Sequence, residues 1–550
     1  MRSVLARVDR TSLWIAGALA LGLSIGLASL VVGQALSGAR PEPAVAAPLL
    51  LGDRPGPTPV AFGPVRPAPL RNAPARRGLL TFRGDASRSF YGIGPVPRHP
   101  QILWRYPSSG GMCMRSADET GKKTWCGVGW TGQANVVQGD AEAVACDADH
   151  RGRAGFARAP VLTRAGKRAA AKLRCDARAA RVEIRFGAFD GAYHFLDGET
   201  GTELRPSLQT GDLAKGSATS DPDGYPLYYA GSRDNRLRVV ALDRPEPTVL
   251  WSLDAHATGR PVVWNDDWDG APLVFGDYLI EGGENSWLYV IRLNRGYDAD
   301  GHVRVAPTVA VSVPSWDAKL EQQRPDRAFS IENSVAFRNG VVYFANSAGL
   351  VQGWDISRVL AGGRTARRVF RFWTGDDTDA SIVVDEQGYL YVASELEKFD
   401  GRSARVGQLM KLDPRRPRAP LVWSVPVREI GFGGKGGIWS TPALDRRLLY
   451  AATNAGGLLG VERGTGRVIW RVALPGPTWS SPVVVDGVLL EGDCAGVLHA
   501  YDVRDQRRPP AELWRVTLGG CIEATPAVWL GRIYVGTRGG AMYAIGPAPH

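Results

Sequence analysis

Two Asp-Asp-x-Asp phrases stand out in this 550-residue chain, Asp266-Asp267-Trp268-Asp269 and Asp376-Asp377-Thr378-Asp379. Two Glu-Asn-Ser phrases accompany them, Glu284-Asn285-Ser286 and Glu332-Asn333-Ser334, 48 residues apart. Carboxylate and amide oxygens in this mixture suit a hard cation such as Ca2+. Crowded carboxylates repel unless a metal ion, Arg or Lys neutralises them. The expected metal ligands are Asp269, Glu332, Asn333, Asp379 and Glu523, and Asp379 is the expected base if the chain is an enzyme. Trp130, Trp439 and Trp479 offer faces for a planar or cationic ligand. Lys435, in Gly433-Gly434-Lys435-Gly436-Gly437, brings a cation to the same place. A plainer reading stands beside this one: acids at strand starts cap turns or pair with some of the 57 Arg, and Trp packs the core.

The elements that would position these residues are repeated. Eight short apolar runs, most of them ending in an acid or amide, recur 40 to 61 residues apart, from Gly191–Asp197 to Gly540–Gly546. Their alternation is that of strands. An apolar-Trp-Arg/Ser phrase recurs at Trp104, Trp251, Trp423, Trp470 and Trp514. A Ser/Thr-Pro phrase followed by apolar residues recurs as well, as in Trp439-Ser440-Thr441-Pro442 and Trp479-Ser480-Ser481-Pro482. Short strands at this spacing predict an all-β, eight-bladed propeller of four-stranded blades. The last run has no Trp strand after it, and Trp104 has no run before it. The strand near Trp104 is therefore expected to close the ring, which removes a free sheet edge. One residue per unit, two before the Ser/Thr, then lines one mouth of the axis: Trp130, Ser217, Asp269, Glu332, Asp379, Trp439, Trp479 and Glu523.

The phrases Ser481-Pro482-Val483-Val484-Val485-Asp486-Gly487, Gly496-Val497-Leu498-His499-Ala500-Tyr501-Asp502 and Gly464-Thr465-Gly466-Arg467-Val468-Ile469-Trp470 resemble the pyrroloquinoline-quinone-type propeller repeat. The clearest resemblance covers about 425–547. It implies the eight-bladed fold shared by quinoprotein alcohol dehydrogenases and the outer-membrane assembly lipoprotein, a fold that hosts enzymes and scaffolds alike. The enzymes of that group carry a vicinal disulfide over the cofactor, and the haem-bearing members a C-x-x-C-H motif. This chain has neither adjacent Cys nor C-x-x-C. The expected function is a binding or assembly scaffold that meets a protein partner on a propeller face. The alternative is a dehydrogenase of alcohols or sugars dependent on pyrroloquinoline quinone and Ca2+.

Residues Leu13 to Val32 carry no charge and follow Arg2, Arg7 and Arg10. Twenty apolar residues span a bilayer core, and the flanking Arg place the N-terminus in the cytoplasm. An uncleaved signal anchor is expected, with a cleaved signal peptide as the rival. A Pro-rich stalk is expected over 33–79, with the propeller over 80–547 in the periplasm or extracellular space. Disulfides persist there, and Cys494–Cys521, Cys113–Cys126 and Cys146–Cys175 are the expected pairs.

The formal charge is +11, and the pI is about 9.4. Residues 151–185 hold eleven Arg/Lys against Asp176 and Glu183. This basic insertion, at about 139–181, suits an anionic lipid or envelope polymer; on the outer side of a membrane it does not imply nucleic acid. P-loop, H-E-x-x-H and G-x-S-x-G motifs are missing, so nucleotide hydrolysis, zincin and α/β-hydrolase chemistry have no support.

Overall fold

The computed structural model describes residues 78–118, 121–130, 132–139 and 181–547. Eight blades follow one another around an axis. The first comprises Asn135–Gln138, Val182–Ala188, Ala192–Asp197 and Leu208–Gln209. The fifth comprises Val383–Val384, Leu390–Ala393, Leu409–Leu412 and Leu421–Val425, and the seventh Val483–Val485, Val488–Gly492, Val497–Asp502 and Ala511–Thr517. The eighth takes Ala527–Trp529, Arg532–Thr537 and Ala541–Pro547 from the end of the chain and Pro100–Tyr106 from its beginning. The strand containing Trp104 closes the ring, as its phase in the repeats predicts. Helices are few among the described residues: Ala318–Gln323, Ser357–Leu360 and Gly401–Val406.

The repeated phrases have separable jobs. Apolar alternation places one set of side chains between each pair of neighbouring blades, so the core is a circle of inter-blade clusters. The Ser/Thr of the Ser/Thr-Pro phrase, or its equivalent, laces blade to blade. The Ala271 amide donates to Ser334 Oγ (2.8 Å), Ser334 to Ser381 Oγ (3.0 Å), Ser381 to Thr441 Oγ1 (2.9 Å) and Thr441 to Ser481 Oγ (2.9 Å). The phrase Trp sits on the outermost strand and crosses to the next blade. Trp104 Nε1 donates to Gly198 O and Trp423 Nε1 to Arg463 O. Gly201 (φ +69°) and Gly466 (φ +76°) lie under those two rings, where a Cβ would come within 2.7 Å of indole carbon. Only glycine meets both the backbone angle and the contact.

Residues 78–96 fill the axial channel, a feature the repeats do not announce. Gly78–Leu79, expected in the stalk, instead pairs with Val136 and Val137 of blade one. Gly92–Ile93 pairs in parallel with Val528 and Trp529 of blade eight. Between them the chain accepts backbone amides from Ser220, Phe337 and Val384 of blades two, four and five. Arg83 and Arg88, at the turn, are fully buried. Arg83 donates to the carbonyls of Thr441 (2.6 Å), Pro482 (2.8 Å) and Pro442 (2.9 Å). Arg88 donates to Val335 O and Ala271 O. Charge is tolerated here because carbonyl dipoles and two buried acids face it: Glu491 lies in the field of Arg83, and Glu281 in that of Arg88.

Cys113–Cys126 and Cys494–Cys521 are bonded. Cys146 and Cys175, the apolar stretch 13–32, the stalk before residue 78 and insertion residues 140–180 lie outside the described residues. Among the described residues no helix is long and apolar enough to cross a membrane. Two members of the basic run are described, and both are paired. Arg185 binds Glu183 (2.9 Å) and Arg181 binds Asp197 (2.7 Å).

Candidate functional site

In six blades the residue two before the Ser/Thr position lies four residues ahead of the innermost strand, so the strand register itself carries it to one mouth. Trp130, Asp379, Trp439, Trp479 and Glu523, from five blades, line a single cavity there. Trp439 and Trp479 stack on each other, centroids 5.1 Å apart and planes 11° apart. Trp130 meets Trp439 edge-on at 6.3 Å. Lys435 Nζ lies 5.3 Å from the Trp439 centroid and pairs with Glu397. Arg83 bonds to carbonyls two and three residues beyond Trp439, so the axial segment floors the mouth.

The five expected ligands do not form one set. Asp269 is 2.7 Å from Lys215 Nζ. Glu523 pairs with Arg538 (3.1 Å) and accepts the Trp130 amide (3.2 Å). The Asn333 amide spans two blades, donating to Ala345 O and Thr378 O and accepting from Ala345 N. Glu332 Oε1 accepts from the hydroxyls of Ser330 (2.7 Å) and Ser347 (2.9 Å). The Glu-Asn-Ser repeat is a coincidence of sequence, because Glu284 follows the second strand of its blade whereas Glu332 precedes the first.

Two other acid triads do form, each with carboxylate oxygens within 4.8 Å of one another: Asp267, Asp269 and Glu284, and Asp377, Asp379 and Glu395. They occupy equivalent places in blades three and five. The Glu284 amide donates to Asp267 O (3.0 Å), and the Glu395 amide donates to Asp377 O (2.8 Å). Their cations differ. Lys215 Nζ stands within 2.7 Å of Asp269, 3.0 Å of Asp267 and 3.5 Å of Glu284, and Arg233 adds a contact to Asp267 at 3.2 Å. Burial opposes the Lys215 charge, yet the three acids hold its pKa well above the usual lysine range. In the second triad Lys398 reaches Asp377 alone (2.6 Å). Burial, then the fields of Glu332 and Glu395, push the Asp379 carboxyl well up. Burial, then Asp377 and Glu397, do the same to Glu395.

Sequence reasoning passed over Lys215 and Glu395. Lys215 is one of nine lysines in an Arg-dominated chain and lies two residues before Ser217 of the mouth ring, a signal that could have been found. Glu395 becomes visible only when the second strands of blades three and five are superposed.

The cavity among the Trp residues has a volume of about 10 Å³, the room of one water molecule. A tricyclic quinone does not fit between Trp faces that already stack on each other. Its hard-metal companion is anticipated at one triad by Lys215. At the other triad Lys398 pairs with Asp377 alone, and the oxygens of Asp377, Asp379 and Glu395 lie close enough together to hold a hard cation.

Residues 407–548 match the family described as outer membrane protein assembly factor BamB. The quinohaemoprotein alcohol dehydrogenase of Comamonas testosteroni has a similar structure, with TM-score 0.53 and 13% identity over 86% of this chain and 81% of that one. BamB from Moraxella catarrhalis gives a TM-score of 0.43 at 16% identity, covering 67% of this chain and 92% of that one. The serine/threonine-protein kinase AfsK of Streptomyces griseus is 25% identical over 211 residues, which cover 37% of this chain and 23% of that protein. The chain is thus an eight-bladed β-propeller whose residues 407–548 match the BamB family model.

Proposed function

We propose that this protein is a binding scaffold, held at a membrane by residues 13–32, whose propeller works outside the cytoplasm and receives a protein partner at the acidic, Trp-lined mouth. The observation that carries this reading is the mouth itself. It is floored by the chain's own segment 78–96 and filled by Trp130, Trp439 and Trp479, leaving room for one water-sized group. That is a surface that can be covered, not a chamber that encloses a cofactor. The match of residues 407–548 to an assembly factor supports the same class. The Cys113–Cys126 and Cys494–Cys521 bonds support an oxidising compartment. The basic composition of 151–185 suits an anionic lipid or polymer and not nucleic acid.

The dehydrogenase alternative, with Ca2+ and pyrroloquinoline quinone at Asp379, rests on the similarity of fold at 13% identity. Titrating the full chain in detergent with the quinone and Ca2+ separates the two readings. The scaffold reading expects no stoichiometric quinone absorbance and no dye reduction with an alcohol and sugar panel. Tight quinone binding with turnover would overturn it. A photo-crosslinking residue at Phe432, beside Trp479, is expected to trap one defined envelope protein in cells, whereas the same residue at Val468 on the outer rim is not.

A further inference from the structure

The two equivalent acid triads differ in one respect that bears on what the mouth receives. In blade three a lysine of the chain itself sits among the carboxylates. It comes from the neighbouring blade, two residues before the ring position Ser217. At the same place in blade four, two residues before Glu332, stands Ser330, whose hydroxyl bonds to Glu332. No ammonium therefore reaches Asp379 or Glu395 from that side. Among the described residues neither forms an ion pair, although Lys398 holds Asp377 and the field of Lys435 reaches Glu395, and Glu395, 2% exposed, has an Oε1 without any hydrogen bond. Burial holds such carboxyls toward their neutral form until a cation arrives to balance their charge.

We propose that the Asp377, Asp379 and Glu395 cluster receives a lysine ammonium from a partner protein, as its counterpart receives Lys215. The proposal rests on the scaffold reading and specifies the chemistry of its contact. Three features commit it to a protein side chain. The cavity beside Asp379 holds one water-sized group, the size of an ammonium head. Phe399, Ile430 and Phe432 are exposed (53%, 50% and 58%) on segments bonded next to the cluster or packed on the Trp stack. The Phe399 amide donates to Asp376, and Phe432 packs edge-on against Trp479. They offer apolar purchase to residues flanking the lysine. The Trp439 indole N–H, buried and without an acceptor, can donate to a backbone carbonyl beside that lysine.

The test titrates the full chain in detergent with n-butylammonium and with N-acetyl-lysine methylamide, at constant ionic strength, following Trp fluorescence. A saturable change is expected from both, about tenfold weaker in Asp379→Asn and in Glu395→Gln. Both variants relieve like-charge crowding, so they should melt no lower than the parent. An equal response to n-butanol, a response that survives in Glu395→Gln, or a response to Ca2+ alone would overturn the proposal. So would no response. The crosslink from Phe432 keeps the two readings apart. If it forms unchanged in Glu395→Gln, the mouth binds a partner without the lysine; if it never forms, the scaffold reading itself fails.

Discussion

Replacing Lys215 with Met tests the electrostatics of the mouth directly. The ammonium stands 2.7, 3.0 and 3.5 Å from three buried carboxylates. At an effective dielectric near 20 each contact contributes about 5 kcal/mol of gross attraction, most of it offset by desolvation of the four groups. Removing the one cation leaves Asp267, Asp269 and Glu284 with Arg233 alone, and losses of this kind run to about 3–5 kcal/mol. A domain of this size unfolds with an entropy of about 1 kcal/mol/K, so the midpoint should fall by roughly 3–5 °C. Scanning calorimetry at pH 7 measures it. The pH dependence sharpens the test. The Lys215 pKa is raised on folding, so its contribution is complete below the ordinary lysine pKa and is lost only as pH climbs through the higher folded value. Below pH 9 only its partners change it, because burial raises the Asp267 carboxyl to about 6 and the Glu284 carboxyl well up. In the variant the orphaned carboxylates take up protons, and the deficit should shrink as pH falls toward 5. Asp269→Asn added to the variant should restore part of the loss. An unchanged midpoint at pH 7, or a deficit that grows on acidification, would refute the reasoning.

Other outcomes follow from the same contacts. Arg83→Met removes three charge-assisted hydrogen bonds to blades six and seven and should cost about 3–5 kcal/mol in urea unfolding, with hydrogen exchange rising first along the axial segment. His499 is buried between Asp493 (3.2 Å) and Glu512 (2.8 Å). Burial lowers its pKa, but the bonds to Asp493 and Glu512 prevail and raise it above 6.5. Its stabilisation is thus full below pH 6.5 and lost as pH rises through the folded value. His499→Gln should flatten that part of the stability–pH curve, and an unaltered curve would count against it. Replacing Cys494 and Cys521, 27 residues apart in sequence, with Ala should cost about 3.5 kcal/mol in the chain-entropy estimate, read as a shift in the urea midpoint.

The architecture was legible because a propeller is built by repetition. Trp104 out of phase with its repeats is enough to predict the strand Pro100–Tyr106 beside Ala541–Pro547. The mouth ring was legible for the same reason, since a fixed offset from a repeated strand places a residue at a fixed height on the axis. Which ring residues share a charge was not legible. Asp269 and Asp379 look alike in sequence, yet one meets Lys215 and the other meets only acids among its closest neighbours. That difference depends on a lysine from an adjacent blade, over fifty residues away.

The sequence by itself determined the number of blades, the closure of the ring and the side of the disc on which the acids gather, because strand period and repeat phase are local properties. Only the tertiary structure decided that residues 78–96 enter the axis, that Lys215 meets all three acids of one triad and that Lys398 meets only Asp377 of the other. These outcomes depend on which groups meet across blades, and on burial, which makes a neighbouring charge matter far more than it would in water.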